Sequence, residues 1–210
     1  MFVRDYMTPS PVTASPDDLL GEALRLMKEH SIRRLPVISK GKIAGLVTEQ
    51  DLMKASPSSA TSLSVWEINY LFHKIKIKDI MTKEIFTVTP DTILEKAALI
   101  MQEKQISTLP VLDKGRLVGI ITESDIFKAF IDVLGINHPS MRVTLQVEDQ
   151  IGVLKNISEL VGAAGINIVS TVVQRFSDDR VYLILRLGTA DVAAVTRLFD
   201  EAGIEVAHIC

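Results

Sequence analysis

The sequence has 210 residues, of which 47% are hydrophobic, and a formal net charge of −3. This length is enough for one or two domains with buried cores, and the slightly acidic balance argues against nucleic-acid binding, which needs a basic face. The apolar runs end short of the ~20 residues that a membrane span requires. The N-terminus lacks signal-peptide features, and the single cysteine, Cys210, excludes a disulfide or Cys-based metal cluster within the chain. We therefore expect a cytoplasmic protein that binds neither nucleic acid nor membranes.

The first predicted elements form a helix, a hairpin and a second helix. Ser15–Asp17 is typical of a helix start, with a serine cap and a proline at the first helical position. Two strands are predicted over residues 33–38 and 43–47, because these runs are apolar and a Lys-Gly-Lys turn separates them. Thr48 then caps the second helix, and Asp51 has the spacing that completes a capping box.

The same pattern returns 74 positions later, after a segment at residues 57–76 that is a polar linker followed by a short amphipathic helix with Trp66. Gly45-Leu-Val-Thr48-Glu-Gln-Asp51 reappears as Gly119-Ile-Ile-Thr122-Glu-Ser-Asp125, and no gap is needed between the copies. A repeat of this kind should be recognised before any fold is proposed. It predicts two copies that pack as a pseudo-twofold pair with two related clefts.

A third domain is predicted at the C-terminus. Residues 134–140 are rich in turn formers, and beyond them the pattern predicts the order βαββαβ, a ferredoxin-like split unit. The expected organisation is α+β (α/β): copies at 1–56 and 77–133, linkers at 57–76 and 134–140, and a domain at 141–210. So small a third core favours sharing a face with a neighbour.

Catalytic and metal motifs are missing from the sequence. There is no nucleophile elbow, His-Glu-x-x-His, P-loop or dinucleotide fingerprint. The four histidines lie in four separate segments, whereas a metal site needs several convergent donors. We therefore expect a protein that is not an enzyme, with no catalytic residue, no metal and no catalytic cofactor.

The two caps, Thr48 with Asp51 and Thr122 with Asp125, are the strongest functional signal. One interpretation is purely structural, since a cap stabilises a helix by about 1 kcal/mol. The other is that a helix N-terminus beside a cleft binds an anion, with the hydroxyl on a phosphate and the carboxylate on ribose hydroxyls. Two caps at equivalent places in a repeat favour the second interpretation without excluding the first.

The repeated Leu-Pro-Val strand followed by Gly-x-x-Thr-x-x-Asp resembles a tandem pair of CBS domains, the Bateman module, over residues 1 to 133. The resemblance implies an adenosine nucleotide (AMP, ADP or ATP) or S-adenosylmethionine as a regulatory ligand between the units. It implies that Asp51 and Asp125 bind ribose and that Thr48 and Thr122 approach phosphate. The remaining adenosyl-binding residues that it implies are Thr13, Ile32, Arg33, Arg34, Pro36, Thr87, Ile106, Ser107, Thr108 and Pro110.

The two copies differ in charge along this strand. Arg33 and Arg34 are expected to neutralise a phosphate in the first cleft, whereas Ser107 and Thr108 replace them in the second copy. We therefore expect weaker phosphate binding, or a different ligand, in the second cleft. That both clefts are only structural stays an alternative.

Residues 141–210 resemble an ACT domain, a small regulatory module that is often specific for amino acids. Asp149-x-x-Gly152 matches its first loop, and Gly165-Ile-Asn167-Ile matches the start of its second strand. The resemblance implies amino-acid binding at Gln150, Ile151, Gly152 and Asn167. The alternative is a domain for dimerisation alone, in which Asp149 is only a helix cap.

The order of the domains gives a further resemblance, to AcuB-type acetoin-utilisation proteins, which implies regulation near acetoin or acetate metabolism. The resulting hypothesis is a sensor that forms a homodimer or higher homo-oligomer and acts on a partner enzyme. The competing hypothesis is a ligand-independent oligomerisation or scaffold protein with vestigial clefts.

Overall fold

The computed structural model describes residues 1–55, 74–175, 177 and 180–210, which divide into two units, Met1–Ile126 and Phe127–Cys210. The amphipathic helix predicted around Trp66 falls outside the described residues, apart from its last two positions. The first unit contains α1 (Val3–Tyr6), β1 (Thr8–Pro9), α2 (Leu20–Glu29), β2 (Arg34–Ser39), β3 (Lys42–Thr48), α3 (Glu49–Ala55), α4 (Ile77–Ile80), α5 (Leu94–Lys104), β4 (Thr108–Asp113), β5 (Arg116–Thr122) and the start of α6 (Glu123–Val133).

The two copies of the repeat form matching hairpins. Strand β2 pairs antiparallel with β3 from Arg34 opposite Thr48, and β4 pairs with β5 in the same register from Thr108 opposite Thr122. Each hairpin has a bulge at the equivalent place. Each turns through a Lys-Gly pair in which both residues have positive φ, as a type I′ turn requires. The predicted hairpins and their turns are therefore confirmed.

The predicted helix α2 begins later than the sequence suggested. Ser15 and Asp18 close a separate turn, in which the backbone N–H of Ser15 donates to the Asp18 carboxylate at 2.7 Å. The helix itself starts at Leu20, and Glu22 accepts a hydrogen bond from the backbone N–H of Leu19 at 2.9 Å. A serine that accepts a local N–H serves a turn as well as a helix cap, so the sequence alone does not separate the two.

The lead-in of each copy packs on the other copy. Strand β1 pairs with β5 of the second copy, and Thr82, the equivalent of Thr8, bridges to Leu46 of β3 in the first. The backbone N–H of Val3 donates to Thr92 and that of Ile77 donates to Asp18, each at 2.9 Å. Ile77 is fully buried in the core of the first copy. Each copy therefore completes its core with a segment of its partner copy.

The second unit has the predicted βαββαβ order after the end of α6. The elements are β6 (Met141–Glu148), α7 (Val153–Ala163), β7 (Ile168–Arg175), β8 (Arg180–Leu187), α8 (Val192–Glu201) and β9 (Glu205–Ile209). Its four-stranded antiparallel sheet has the order β7-β8-β6-β9, and its core lies between one face of the sheet and two helices. From Val181 onward, the side chains of β8 alternate between buried and half-buried, as expected for a sheet covered on one face.

In the described part of the chain, no helix is both long enough and apolar enough to cross a bilayer.

Candidate functional site

The end of β3 and the first turn of α3 form a tight local network. The Asp51 Oδ2 atom accepts hydrogen bonds from the backbone N–H of Thr48 at 2.9 Å and from the Thr48 hydroxyl at 2.7 Å. The backbone N–H of Asp51 donates back to the Thr48 hydroxyl oxygen at 3.2 Å. This is the reciprocal geometry of a capping box. It holds both side chains half-buried in fixed positions.

The second copy repeats the two hydrogen bonds that the aspartate carboxylate accepts. The Asp125 Oδ2 atom accepts from the backbone N–H and from the hydroxyl of Thr122, each at 2.8 Å. In both copies the threonine hydroxyl is the donor in its hydrogen bond to the aspartate. Towards a ligand, the hydroxyl can therefore act only as a hydrogen-bond acceptor. Within the described residues, the Oδ1 atoms of Asp51 and Asp125 accept no hydrogen bond, so they are free to bind the hydroxyl groups of a ligand.

A cleft of about 270 Å³ opens beside Asp51, and both copies line it. The first copy contributes the cap and the start of its hairpin, and the second contributes its lead-in and the start of β4. The residues that line it are Arg34, Leu46, Thr48, Gln50 and Asp51 from the first copy, and Thr82, Glu84, Ile85, Phe86, Gln105, Ile106, Ser107, Thr108 and Pro110 from the second. We call it the Asp51 cleft.

The Asp51 cleft brings together seven residues that the sequence predicted to bind a ligand, but it groups them differently. Ser107 and Thr108 were expected in a second cleft, and they line the cleft of Thr48 and Asp51. The exchange of lead-ins explains this, because the cap of one copy then faces the strand of the other. The predicted residues that do not line this cleft are Thr13, Ile32, Arg33, Pro36, Thr87, Thr122 and Asp125.

Sequence reasoning missed part of the lining, namely Leu46, Gln50, Thr82, Glu84, Ile85, Phe86 and Gln105. Several of them lie beside predicted residues and were within reach of a sequence argument: Gln50 precedes Asp51, Gln105 precedes Ile106, and residues 84–86 lie within three positions of Thr87. Thr82 comes from the lead-in that packs on the other copy, which the sequence pattern does not show.

Arg34 joins the two copies across the Asp51 cleft. Its Nη2 atom donates a hydrogen bond to the Ser107 hydroxyl oxygen at 2.7 Å, in a half-buried position. Arg33 behaves differently, because its side chain is 81% exposed and its Nε atom lies 3.7 Å from a Glu49 carboxylate oxygen. Of the two arginines expected to act together on a phosphate, only Arg34 lines this cleft.

Thr108 has an unusual environment in the same cleft. Its side chain is only 4% exposed, and its hydroxyl has no hydrogen-bond partner among the described residues. A buried polar group left without a partner costs roughly 1–3 kcal/mol. A threonine hydroxyl can both donate and accept a hydrogen bond, and the described residues leave both capacities unused here.

Few charged groups reach the Asp51 cleft. Its described lining contains one cation, Arg34, and two carboxylates, Asp51 and Glu84. The Lys104 ammonium lies 5.1 Å from the centroid of the Phe86 ring without lining the cleft itself. No group of three or more potential metal ligands is placed to hold a metal ion in the described part of the chain.

The second unit contains a larger cavity of about 550 Å³, between the end of β6, the start of α7 and the start of β9. Of the four residues predicted to bind an amino acid, Gln150 lines it and Ile151, Gly152 and Asn167 do not. Ile151 is fully exposed, and Gly152 is the N-cap of α7 with φ of 91°. Asp149 is not that cap, because its carboxylate pairs with Arg175.

Sequenced relatives match between about three fifths and nearly all of the chain. The chain is 32% identical over 136 residues to the uncharacterized protein MJ1225 of Methanocaldococcus jannaschii, covering 61% of this chain and 46% of the relative. It is 31% identical over 210 residues to the inosine-5′-monophosphate dehydrogenase of Korarchaeum cryptofilum, covering 97% of this chain and 37% of the relative. The chain therefore spans less than half the length of these two relatives.

Three solved structures match 62–65% of the chain. A Vibrio cholerae protein named for acetoin utilization (AcuB) is 32% identical, with a TM-score of 0.54 over 65% of this chain and 95% of that one. The CBS domain pair of MJ0100, in complex with 5′-methylthioadenosine and S-adenosylmethionine, is 30% identical, with a TM-score of 0.52 over 62% and 95%. CBSX2 in complex with AMP is 29% identical, with a TM-score of 0.54 over 63% and 97%.

The model of the CBS domain matches both copies of the repeat, at residues 3–58 and 77–132, which is more than half of the chain. The match coincides with the two hairpins, the two caps and the cleft that they share. The chain therefore belongs to the CBS domain family.

Proposed function

We propose that this protein is a non-catalytic regulator that binds an adenosine nucleotide, S-adenosylmethionine or a related adenosyl compound in the Asp51 cleft. The observation that carries the proposal is that one cleft is lined by two residues with polar atoms that lack a hydrogen-bond partner among the described residues, Asp51 through its Oδ1 atom and Thr108 through its buried hydroxyl. Adenosyl ligands bound to the CBS pairs of MJ0100 and CBSX2 support the same class of ligand.

Each part of an adenosyl ligand has a chemically suitable group in this cleft. Asp51 Oδ1 would accept the hydroxyls of the ribose, because an ionised carboxylate forms strong hydrogen bonds. The Phe86 ring and the side chains of Ile85 and Ile106 offer apolar contact to the adenine. The Thr108 hydroxyl would pair with a ring nitrogen or the amino group of the base.

Regulation would arise because the ligand touches both copies at once. Asp51 belongs to the first copy and Thr108 to the second, and Arg34 already bridges them through Ser107. A ligand shifts a conformational equilibrium only by its difference in affinity for the two states. The size of the ligand-induced shift therefore depends on how differently the two copies pack against each other in the bound and free forms.

Isothermal titration with AMP, ADP, ATP, 5′-methylthioadenosine and S-adenosylmethionine tests this function. At least one ligand should bind, and Asp51→Ala should weaken its binding by about 10-fold or more, as expected for losing a charge-assisted hydrogen bond. Asp113→Ala is the matched control, since Asp113 is exposed and does not line the cleft. Binding of none of the five ligands, or equal binding by Asp51→Ala, would contradict the proposal.

We propose that the protein controls a partner enzyme near acetoin or acetate metabolism. We further propose that it acts in the cytoplasm as a homodimer or higher homo-oligomer. The similarity to the Vibrio cholerae AcuB structure supports this setting. The competing function is a scaffold with vestigial clefts. It would be favoured if light scattering gave the same oligomer with and without every ligand and titration gave no heat.

The second unit gives reason to propose an additional function, an ACT-type domain that binds an amino acid. Its 550 Å³ cavity has apolar side chains such as Ile157 and Leu160 beside Arg180 and the carboxylates of Glu148 and Glu205. An arginine can pair with a carboxylate and a glutamate with an ammonium group, which are the two ends of an amino acid. Titration with the twenty amino acids should give binding that Arg180→Ala weakens. No binding by any of them would favour dimerisation as the sole role of this unit.

A further inference from the structure

The charges of the Asp51 cleft favour some adenosyl ligands over others. Its described lining carries two carboxylates, Asp51 and Glu84, against a single guanidinium, Arg34. One N–H group of that guanidinium already donates to Ser107. A 5′-phosphate would bring further negative charge into a cleft whose lining is net negative, and like charges repel each other over several ångströms. A neutral or positively charged 5′ group would meet no such repulsion.

The positions 74 residues earlier carry the opposite charge pattern. Where the Asp51 cleft has Glu84 and Ser107, the equivalent positions are Ser10 and Arg33. The acidic Glu84 thus corresponds to the neutral Ser10, and the neutral Ser107 corresponds to the basic Arg33. The acidic character of the Asp51 cleft is thus specific to it and is not a property of the repeated motif.

The size of the cleft also favours an adenosyl ligand with a short 5′ substituent. Its volume of about 270 Å³ is just below the roughly 300–1,000 Å³ that is usual for small-molecule sites. That space suits a nucleoside with a short 5′ substituent better than a nucleoside triphosphate. Glu84 is exposed at this cleft, where it can act on a substituent that points towards solvent.

We propose that the Asp51 cleft selects adenosyl ligands whose 5′ substituent is neutral or cationic, of the thioether or sulfonium class, over adenosine 5′-phosphates, and that Glu84 is the residue that determines this choice. The inference rests on the proposed function, because it assumes that this cleft binds an adenosyl ligand. It goes further by stating the charge of the ligand and the side chain that discriminates.

The test uses the full chain with Asp125→Ala, which leaves only one of the two equivalent carboxylates, that of Asp51. Titration should show 5′-methylthioadenosine and S-adenosylmethionine binding about 10-fold or more tightly than AMP. Raising the salt concentration should narrow this ratio, because salt screens the repulsion of the phosphate. The neutral thioether serves as the internal reference, since its binding should hardly depend on salt.

A second arm removes the discriminating charge and does not depend on how well Asp125→Ala folds. Glu84→Gln in the otherwise unchanged chain should strengthen AMP binding at the Asp51 cleft by about 5-fold and leave 5′-methylthioadenosine within about 2-fold. Glu103→Gln makes the same change of net charge at an exposed residue that does not line the cleft, and it should alter neither ligand.

The outcomes separate this inference from the proposed function. AMP binding to Asp125→Ala as tightly as 5′-methylthioadenosine, or an unchanged ratio of the two in Glu84→Gln, would overturn the charge selection while leaving adenosyl binding intact. Binding of no adenosyl ligand by either protein would overturn both. Binding that survives Asp51→Ala and is lost in Asp125→Ala would place the ligand at the equivalent positions and would also overturn the inference.

Discussion

Met81 packs its sulfur directly against Gly45, although the two residues belong to different copies of the repeat. A methyl group added at Gly45 would lie 2.7 Å from the Met81 sulfur and 2.7 Å from the Thr82 carbonyl oxygen. Thr82 cannot simply withdraw, because its backbone exchanges two hydrogen bonds with Leu46, at 3.0 and 2.9 Å. Glycine is needed here for close approach of two chain segments and not for a positive φ.

The first prediction is that Gly45→Ala destabilises the first unit. Overpacking of a buried contact typically costs 1–3 kcal/mol, so we expect a loss of about 2 kcal/mol in the free energy of unfolding, measured by urea denaturation. Gly21→Ala is the matched control, because Gly21 lies in α2 with nothing within 4 Å of the added methyl group. It should stabilise the protein by about 0.5–1 kcal/mol. Equal effects of the two variants would show that the lead-in does not press on Gly45.

The second prediction concerns the buried hydroxyl of Thr108. Thr108→Val removes a polar group that has no partner in the described residues, so it should leave the unliganded protein as stable or make it more stable by about 1 kcal/mol. The same substitution should weaken adenosyl binding, since the ligand loses that hydroxyl. Thermal unfolding with and without ligand measures both effects.

Thr144 provides the control for this substitution. It is also buried, at 8% exposure, but its hydroxyl accepts a hydrogen bond from Arg142 at 3.0 Å. Thr144→Val should therefore destabilise the protein by roughly 1 kcal/mol and leave adenosyl binding unchanged. A Thr108→Val protein that unfolds as readily as Thr144→Val would indicate that the Thr108 hydroxyl is already satisfied.

The third prediction is a dependence of stability on pH at Asp17. Hydrogen bonds from Lys78 at 2.9 Å and Lys76 at 3.0 Å hold the pKa of the Asp17 carboxyl below its usual value of 3.8, and the same contact raises the pKa of Lys78. A carboxyl with a lowered pKa in the folded state adds stability above its unfolded pKa and loses it as the pH falls through the folded pKa.

Asp17→Asn should therefore lower the melting temperature slightly at pH 7, and the difference from the unchanged chain should shrink once the pH falls below about 4. The effect should be small and should weaken in high salt, because the carboxylate and both lysines are solvent-exposed. Asp113→Asn, another exposed aspartate, controls for the general effect of charge. A difference that persists unchanged at low pH would mean that Asp17 acts by something other than its charge.

The fourth prediction concerns the structural role of the cap at Thr48. Thr48→Ala removes a hydroxyl that both donates to Asp51 and accepts from its backbone N–H, so it should cost about 1 kcal/mol of stability. Thr48→Ser keeps those hydrogen bonds and should cost clearly less. Urea denaturation of the two variants without ligand gives the comparison. Equal losses would show that the methyl group of Thr48, and not its hydroxyl, matters for the fold.

Much of the fold follows from local sequence. The repeat offset, the Lys-Gly hairpin turns and the βαββαβ order of the second unit were all predicted from residue patterns and are seen in the structure. The start of α2 was not. Its first residue, Leu20, donates its backbone N–H to Ile75 of the second copy's lead-in, and such a contact leaves no trace in the local pattern.

The sequence predicted many of the residues of the candidate site but not which of them share a cleft. Thr48, Asp51 and Thr108 were all proposed as ligand-binding residues, yet Thr108 was expected beside Asp125 and lies in the Asp51 cleft. The constant offset of 74 residues between the copies does not reveal where the lead-ins pack. Each lead-in could pack on its own copy or on the other copy with the same sequence pattern. Only the path of the chain through space decides between these arrangements, and with it the partners of each cap.

The exchanged lead-ins mean that neither half of the repeat is self-sufficient. A half expressed alone would leave one hydrophobic surface bare and one strand-forming segment with nothing to pair with. Two identical halves on separate polypeptides could cover each other in the manner of the two unequal halves here. Joining such a pair end to end would give one chain in which each half keeps the lead-in contacts seen here.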